Sequence, residues 1–237
     1  MPRTSLPALS AASATIAARF APGVDALFPL AGRALILGAH TDDEFGCSGT
    51  IARMVEAGAE VHYACFSPCE ESVPEGWDRD VLKREVRDAI AVLGIPEERF
   101  TLFDYRVRHF PARRQEILEE LISLRNRIQP EIVFVPAMSD MHQDHQVIAR
   151  EGLRAFKHST VLGYELPMNT IAFQHTCFVS LEERHLEVKI RHAAAYRSQA
   201  FRTYLQPEFI RSLALVRGVQ INTAAAEALE VIRTVIM

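Results

Sequence analysis

Along the first two thirds of the chain, short apolar runs alternate with segments whose apolar residues recur at helical spacing. ALILGA (34–39) is a continuous apolar run ending in a loop rich in Asp and Gly, the pattern of a parallel strand buried on both faces. GTIARMVEAG (49–58) sets Ile51, Met54 and Val55 on one side of a helix that closes on Gly58. EVHYACFS (60–67) predicts a second strand, and a polar, proline-containing loop follows over 68–79. DVLKREVRDAIAVLGI (80–95) then aligns Val81, Leu82, Val86, Ala89, Ile90 and Leu93 on one helical face. RFTLFDY (99–105) predicts a strand, RRQEILEELISLRNRIQP (113–130) an amphipathic helix stopped by Pro130, and EIVFVPA (131–137) another buried strand.

This alternation predicts a three-layer, Rossmann-like α/β fold: a mostly parallel sheet with helices on both faces. STVLGYEL (159–166) and CFVSL (177–181) predict later strands, residues 182–206 a helix, and 208–217 and 224–234 two further helical pieces. No repeat or linker interrupts the chain, so residues 33–237 read as one domain behind an N-terminal extension, 1–32. That extension has Arg3 ahead of an Ala/Ser-rich run with few large apolar residues, a poor membrane-inserting signal, and it predicts a short helix or loose arm.

Composition changes the picture in two respects. With 237 residues, 49% of them hydrophobic, the chain can bury its own core without a disulfide or structural metal, so any metal it binds serves function. A net charge of −4 and the lack of a basic stripe argue against nucleic acid as a partner, and the phenylalanines read as core. No apolar stretch approaches the roughly 18 residues of a membrane span, so no membrane insertion is expected. Cys47, Cys65, Cys69 and Cys177 read as free thiols, which points to the reducing cytoplasm. The composition is compatible with a homo-oligomer.

The densest acid and imidazole clusters follow two of the buried-strand candidates. Ala39-His40-Thr41-Asp42-Asp43-Glu44 comes directly after the first, and His142-Gln143-Asp144-His145 a few residues after EIVFVPA. Ligands of open α/β sheets bind beyond the carboxyl ends of the strands. A hydrolytic zinc site needs three ligands from His and carboxylate, an open position for water, and an unligated carboxylate to take the water's proton. The two loops supply that set. Adjacent Asp42 and Asp43 do not easily share one ion, which leaves one of them for the water. Alone, the acidic run reads as a solvated turn or helix start, and the His pair as surface decoration. Together, after two buried strands, they point to metal-dependent hydrolysis.

AHTDDE resembles the AHPDDE signature, and HQDH the HxDH signature, of the zinc-dependent LmbE-like or PIG-L-type N-deacetylases. Glu85…Ala89…Leu93-Gly94 and Lys189…Tyr196-Arg197-Ser198-Gln199 are similar to further elements of that family, so the resemblance spans about residues 33–234. It implies that His40, Asp43 and His145 bind Zn2+, that Asp42 is the general base, that His142 stabilises the oxyanion and assists the leaving amine, and that Asp144 is the carboxylate partnering His142. The implied reaction removes an N-acetyl group from an amino-sugar conjugate of GlcNAc type, releasing acetate. Three departures stand out. Thr41 replaces a proline, the loop from Glu44 to Gly49 is one residue short, which leaves Glu44 without a role, and Tyr196 replaces a histidine, keeping a hydroxyl for a sugar contact.

Arg108 follows the third strand candidate on the same rim and can hold a substrate phosphate or carboxylate; Gln199 is the second substrate-binding candidate, with Ser198 and Glu165 behind it. The remaining histidines read as satisfied or solvated. Two other readings stay open: a metal-dependent amidase or esterase on a non-sugar acyl substrate, and a non-catalytic nucleotide-binding module using the Gly46-Cys47-Ser48-Gly49 turn.

Overall fold

A computed structural model describes residues 32–236. The extension expected over residues 1–32 lies, apart from Gly32, outside the described residues. The elements in chain order are β1 (Arg33–Gly38), α1 (Ser48–Glu56), β2 (Glu60–Cys65), α2 (Val81–Val92), β3 (Phe100–Leu102), α3 (Arg114–Ile128) and β4 (Ile132–Pro136). There follow α4 (Gln143–Ala155), β5 (Thr160–Tyr164), β6 (Cys177–Ser180), α5 (Glu183–Ala195), α6 (Pro207–Gln220) and β7 (Ala226–Arg233).

The seven strands order as β3-β2-β1-β4-β5-β7-β6. The first five are parallel, and β7 runs antiparallel between β5 and β6. The chain therefore leaves β1 toward one edge and returns to β4 to build toward the other. The carboxyl ends of β1 and β4 lie side by side at this reversal, where neighbouring loops diverge and open a crevice. Both imidazole-bearing motifs emerge there. On one face α3 and α4 bury Ile117, Leu121, Ile148 and Phe156 against Leu35, Leu37, Val133 and Val135. On the other face α1 and α2 pack against α5, and α6 against β7. No helix among the described residues is long and apolar enough to cross a membrane.

Three expectations need correction. Residues 224–234 form strand β7 instead of a helix. Their Ala, Leu and Glu are good helix formers, but pairing with both β5 and β6 decides the conformation. The helix expected over 182–206 stops at Ala195 and continues as two single 3-10 turns, Arg197–Gln199 and Thr203–Leu205. HQDH, expected in a loop, opens helix α4: His142 is its N-cap, with the ring accepting from the backbone N–H of Asp144.

Beyond these three, one contact bears on function. Glu227 of β7 is buried and accepts from the backbone N–H groups of Gly49 (2.9 Å) and Thr50 (2.6 Å) at the start of α1. Those are donors that a nucleotide phosphate would need, and the protein's own carboxylate already occupies them. The nucleotide-binding reading falls for this reason. Gly49 is required at that point, since a Cβ would lie 2.6 Å from Leu181 and 2.9 Å from the Glu227 carboxylate. Lys189 of α5 balances the charge, with Nζ 2.6 Å from Glu227 and 2.7 Å from the carbonyl of Phe45. This buried pair ties α1, α5 and β7 together behind the first motif loop. Lys189→Met leaves Glu227 charged and unpaired, and urea unfolding is expected to register a loss of about 3–5 kcal/mol; a loss below about 1 kcal/mol means the pair does not hold this layer.

Candidate functional site

β1 is fully buried from Ala34 to Leu37 and delivers Ala39-His40 into the crevice, after which a 3-10 turn, Asp43–Cys47, folds the acidic run back over the sheet. The turn is held in several places. The Asp43 carboxylate accepts from the backbone N–H of His40 at 2.8 Å, and the Tyr63 hydroxyl donates to the carbonyl of His40 at 3.0 Å. Beneath it, Tyr196 donates to Thr41 and Glu44, and His192 lies 2.8 Å from the same Glu44 carboxylate. Tyr196 is completely buried, so the hydroxyl reserved for a sugar instead braces the turn.

The two motif loops bring three nucleophilic atoms to one point. His40 Nδ1 and His145 Nε2 are 2.9 Å apart, and Asp43 Oδ1 is 3.2 Å from His145 Nε2 and 3.7 Å from His40 Nδ1. Donors about 2.0–2.1 Å from a tetrahedral zinc would stand about 3.3 Å from one another, so these separations fit one ion. The outward nitrogens are also committed. His145 Nδ1 is 2.8 Å from Asp140 Oδ2, and His40 Nε2 is 3.2 Å from Asp144 Oδ2. A carboxylate on the far nitrogen fixes ring orientation and leaves the inner lone pair for a cation. His142 also presents a nitrogen within 4.8 Å of those of His40 and His145, so the three histidines form a group able to hold a metal. The two candidate sets share His40 and His145 and differ in the third ligand.

Charge inside the cluster follows from this packing. Burial alone would lower the His145 imidazole, but Asp43 and Asp140 outweigh it and hold its pKa up at about 10. Burial would raise the Asp43 carboxyl, yet the two imidazoles keep it well below the usual carboxylate range. His142, half-buried, is pushed down to about 4 by burial and by the neighbouring His40 and His145. Without an ion, a proton on His145 neutralises the surrounding carboxylates; a divalent cation would displace it.

The sequence-derived residues distribute as follows. His40, Asp42, Asp43, His142, His145, Arg108 and Gln199 all line one cavity of about 240 Å³. Asp144 stands behind them, fully buried, and its carboxylate meets His40 rather than His142. The same carboxylate accepts from the backbone N–H groups of Arg108 (2.5 Å) and Phe110 (3.2 Å), which holds Arg108 in the left-handed region at φ 70°. Ser198 is buried against Glu85, to which its N–H and hydroxyl donate, and Glu165 makes a two-pronged ion pair with Arg217; both are structural. Asp140 and Tyr204 are among the residues missed. Asp140 sits within the HQDH approach and was legible as a third acid near the motif. Tyr204 donates to Asp42 at 3.1 Å and, 162 residues away in sequence, carried no local signal. Burial and then Asp42 raise its hydroxyl pKa, so it stays a donor.

The family description "PIG-L: GlcNAc-PI de-N-acetylase" matches residues 35–156, which include both motif loops. Among solved structures, an N,N'-diacetylchitobiose deacetylase from Pyrococcus horikoshii superposes with a TM-score of 0.74 at 20% identity, covering 96% of this chain and 94% of that one. GalB, the 4-carboxy-2-hydroxymuconate hydratase from Pseudomonas putida KT2440, gives 0.70 at 22% identity over 87% and 98%. The zinc-inhibited form of teicoplanin deacetylase Orf2 gives 0.66 at 16% over 83% and 96%. At these identities the structures share the fold. By the match that spans its two motif loops, the chain belongs to the PIG-L, or LmbE-like, family.

Proposed function

We propose that this protein is a zinc-dependent N-deacetylase that hydrolyses the acetamide of an amino-sugar conjugate and releases acetate. The observation that carries this reading is the convergence of His40 Nδ1, His145 Nε2 and Asp43 Oδ1, with Asp42 beside them in the same cavity and free of the cluster. His40, Asp43 and His145 would hold the ion. Bound there, zinc supplies Lewis acidity to the amide carbonyl and brings the pKa of water to about 7.

The chain's own groups supply the rest. Asp42, kept in place by the Tyr204 hydroxyl, takes the proton of the attacking water. The His142 ring has its Nδ1 accepting from the backbone N–H of Asp144, so its proton sits on Nε2. That tautomer makes His142 a donor to the oxygen where charge develops, and favours Asp43 over His142 as the third ligand. The proton held by Asp42 then passes to the leaving amine, with His142 assisting. Asp144 is a positioning residue: it orients His40 and anchors the backbone around Arg108. The four cysteines are free, which supports the cytoplasm as the site of reaction.

Asp42→Asn is expected to lower kcat by about 10²–10⁴-fold while elemental analysis still finds one zinc per chain; near-normal turnover would remove the base assignment. Asp140→Asn is expected to weaken zinc binding by about 10–100-fold in a chelator competition. Acetate release should be measured across acetylated amino sugars and acyl-amino acids. Full activity of the metal-stripped protein, or turnover confined to the acyl-amino acids, overturns the proposed function.

A further inference from the structure

Two guanidinium groups line the cavity that holds the imidazole cluster, and among the described residues neither is paired with a carboxylate. Their neighbours behave differently: Arg106 is tied to Glu71, and Arg217 to Glu165. Arg108 makes one long contact, from Nη2 to the Ser72 hydroxyl at 3.4 Å, and its backbone is held by Asp144 in a conformation non-glycine residues rarely adopt. A left-handed backbone at a non-glycine residue persists only where its surroundings impose it. Here the surroundings impose it at the residue that overlooks the site.

Arg202 is oriented by a chain of hydrogen bonds that begins in the core. Buried Glu85 accepts from the Ser198 hydroxyl (2.6 Å), which accepts from the Gln199 amide (3.2 Å), and the Gln199 carbonyl accepts from Arg202 Nε (2.7 Å). The guanidinium also lies over the Tyr204 ring, 5.8 Å from its centroid. Only Nε is consumed in this way, so the two terminal nitrogens remain for a ligand. The acids in the cavity are already engaged, Asp42 by Tyr204 and Asp43 by the imidazoles. Two half-buried or rim guanidiniums left over around occupied carboxylates make a lining that attracts an anion, and the planar fork suits a carboxylate or phosphate.

We propose that the substrate carries an anionic substituent, a carboxylate or a phosphate, bound by Arg108 and Arg202. The proposal rests on the deacetylase reading for the acetamide and stands apart from it for the anion. Gln199 thereby acts on the substrate through Arg202, as a positioning residue.

The test is equilibrium binding by calorimetry to the full, zinc-loaded chain carrying Asp42→Asn, which suppresses turnover. The probes are N-acetylglucosamine, its 1-phosphate and 6-phosphate, and N-acetylglucosaminuronic acid. At least one charged probe is expected to bind about tenfold or more tightly than the neutral sugar, with an advantage that shrinks as salt rises; the phosphate and uronate arms tell which anion is preferred. Adding Arg202→Met, or separately Arg108→Gln on the exposed rim, is expected to cut that preference about tenfold, and Arg202→Lys to restore part of it. Equal binding of neutral and charged probes, or an equal loss for all probes in both arginine variants, overturns the proposal. Charge-dependent binding without acetate release from any of these sugars by the wild-type chain would instead sustain the anion site and remove the deacetylase reading.

Discussion

Three buried carboxylates, Asp43, Asp140 and Asp144, surround two imidazoles at the ends of β1 and β4, and everything else in the site depends on how that negative charge is balanced. Buried anions persist only when paired or bound to a cation. Each of these is paired by an imidazole or backbone N–H, which turns the inner faces of His40, His145 and Asp43 toward one point. The geometry required of a cation site is thus set by packing before any cation arrives. The cost of assembling such a site falls on the fold, which holds the two loops at a point where the sheet reverses direction.

A second buried charge pair supports that reversal from behind. Glu227 of the antiparallel strand caps α1 and meets Lys189 of α5, so an element near the end of the described chain secures the loop after the first strand. The five parallel strands create the crevice, and the two added strands keep one of its walls from shifting. Tyr196 and His192 work on the same turn from α5 and the segment after it, with Glu44 as the shared acceptor.

Most of the parallel half of the fold was legible because its strands are continuous apolar runs and its helices keep one apolar face, signals that local pattern carries well. The motif loops were legible for a different reason: hard ligands at short spacing after a buried strand serve few structural purposes. What escaped depends on distance along the chain. β7 contains helix-forming residues and becomes a strand only because two neighbours offer it hydrogen bonds. Tyr204 and Arg202 reach the cavity from a segment without regular periodicity. The resemblance implied His142 as the partner of Asp144; the fold brings the Asp144 carboxylate to His40 and its backbone N–H to the His142 ring.

Asp144 joins two tasks that are usually separable. One oxygen is shared between the His40 ring and the amide of Arg108, and the other receives the amide of Phe110. One carboxylate therefore sets both the orientation of the His40 ring and the position of the Arg108 backbone. Replacing Arg108 by glycine would relax the backbone there and gain local stability, but only by giving up the guanidinium. Any other side chain placed at 108 would change what the rim presents while the left-handed backbone, held by Asp144, stays in place.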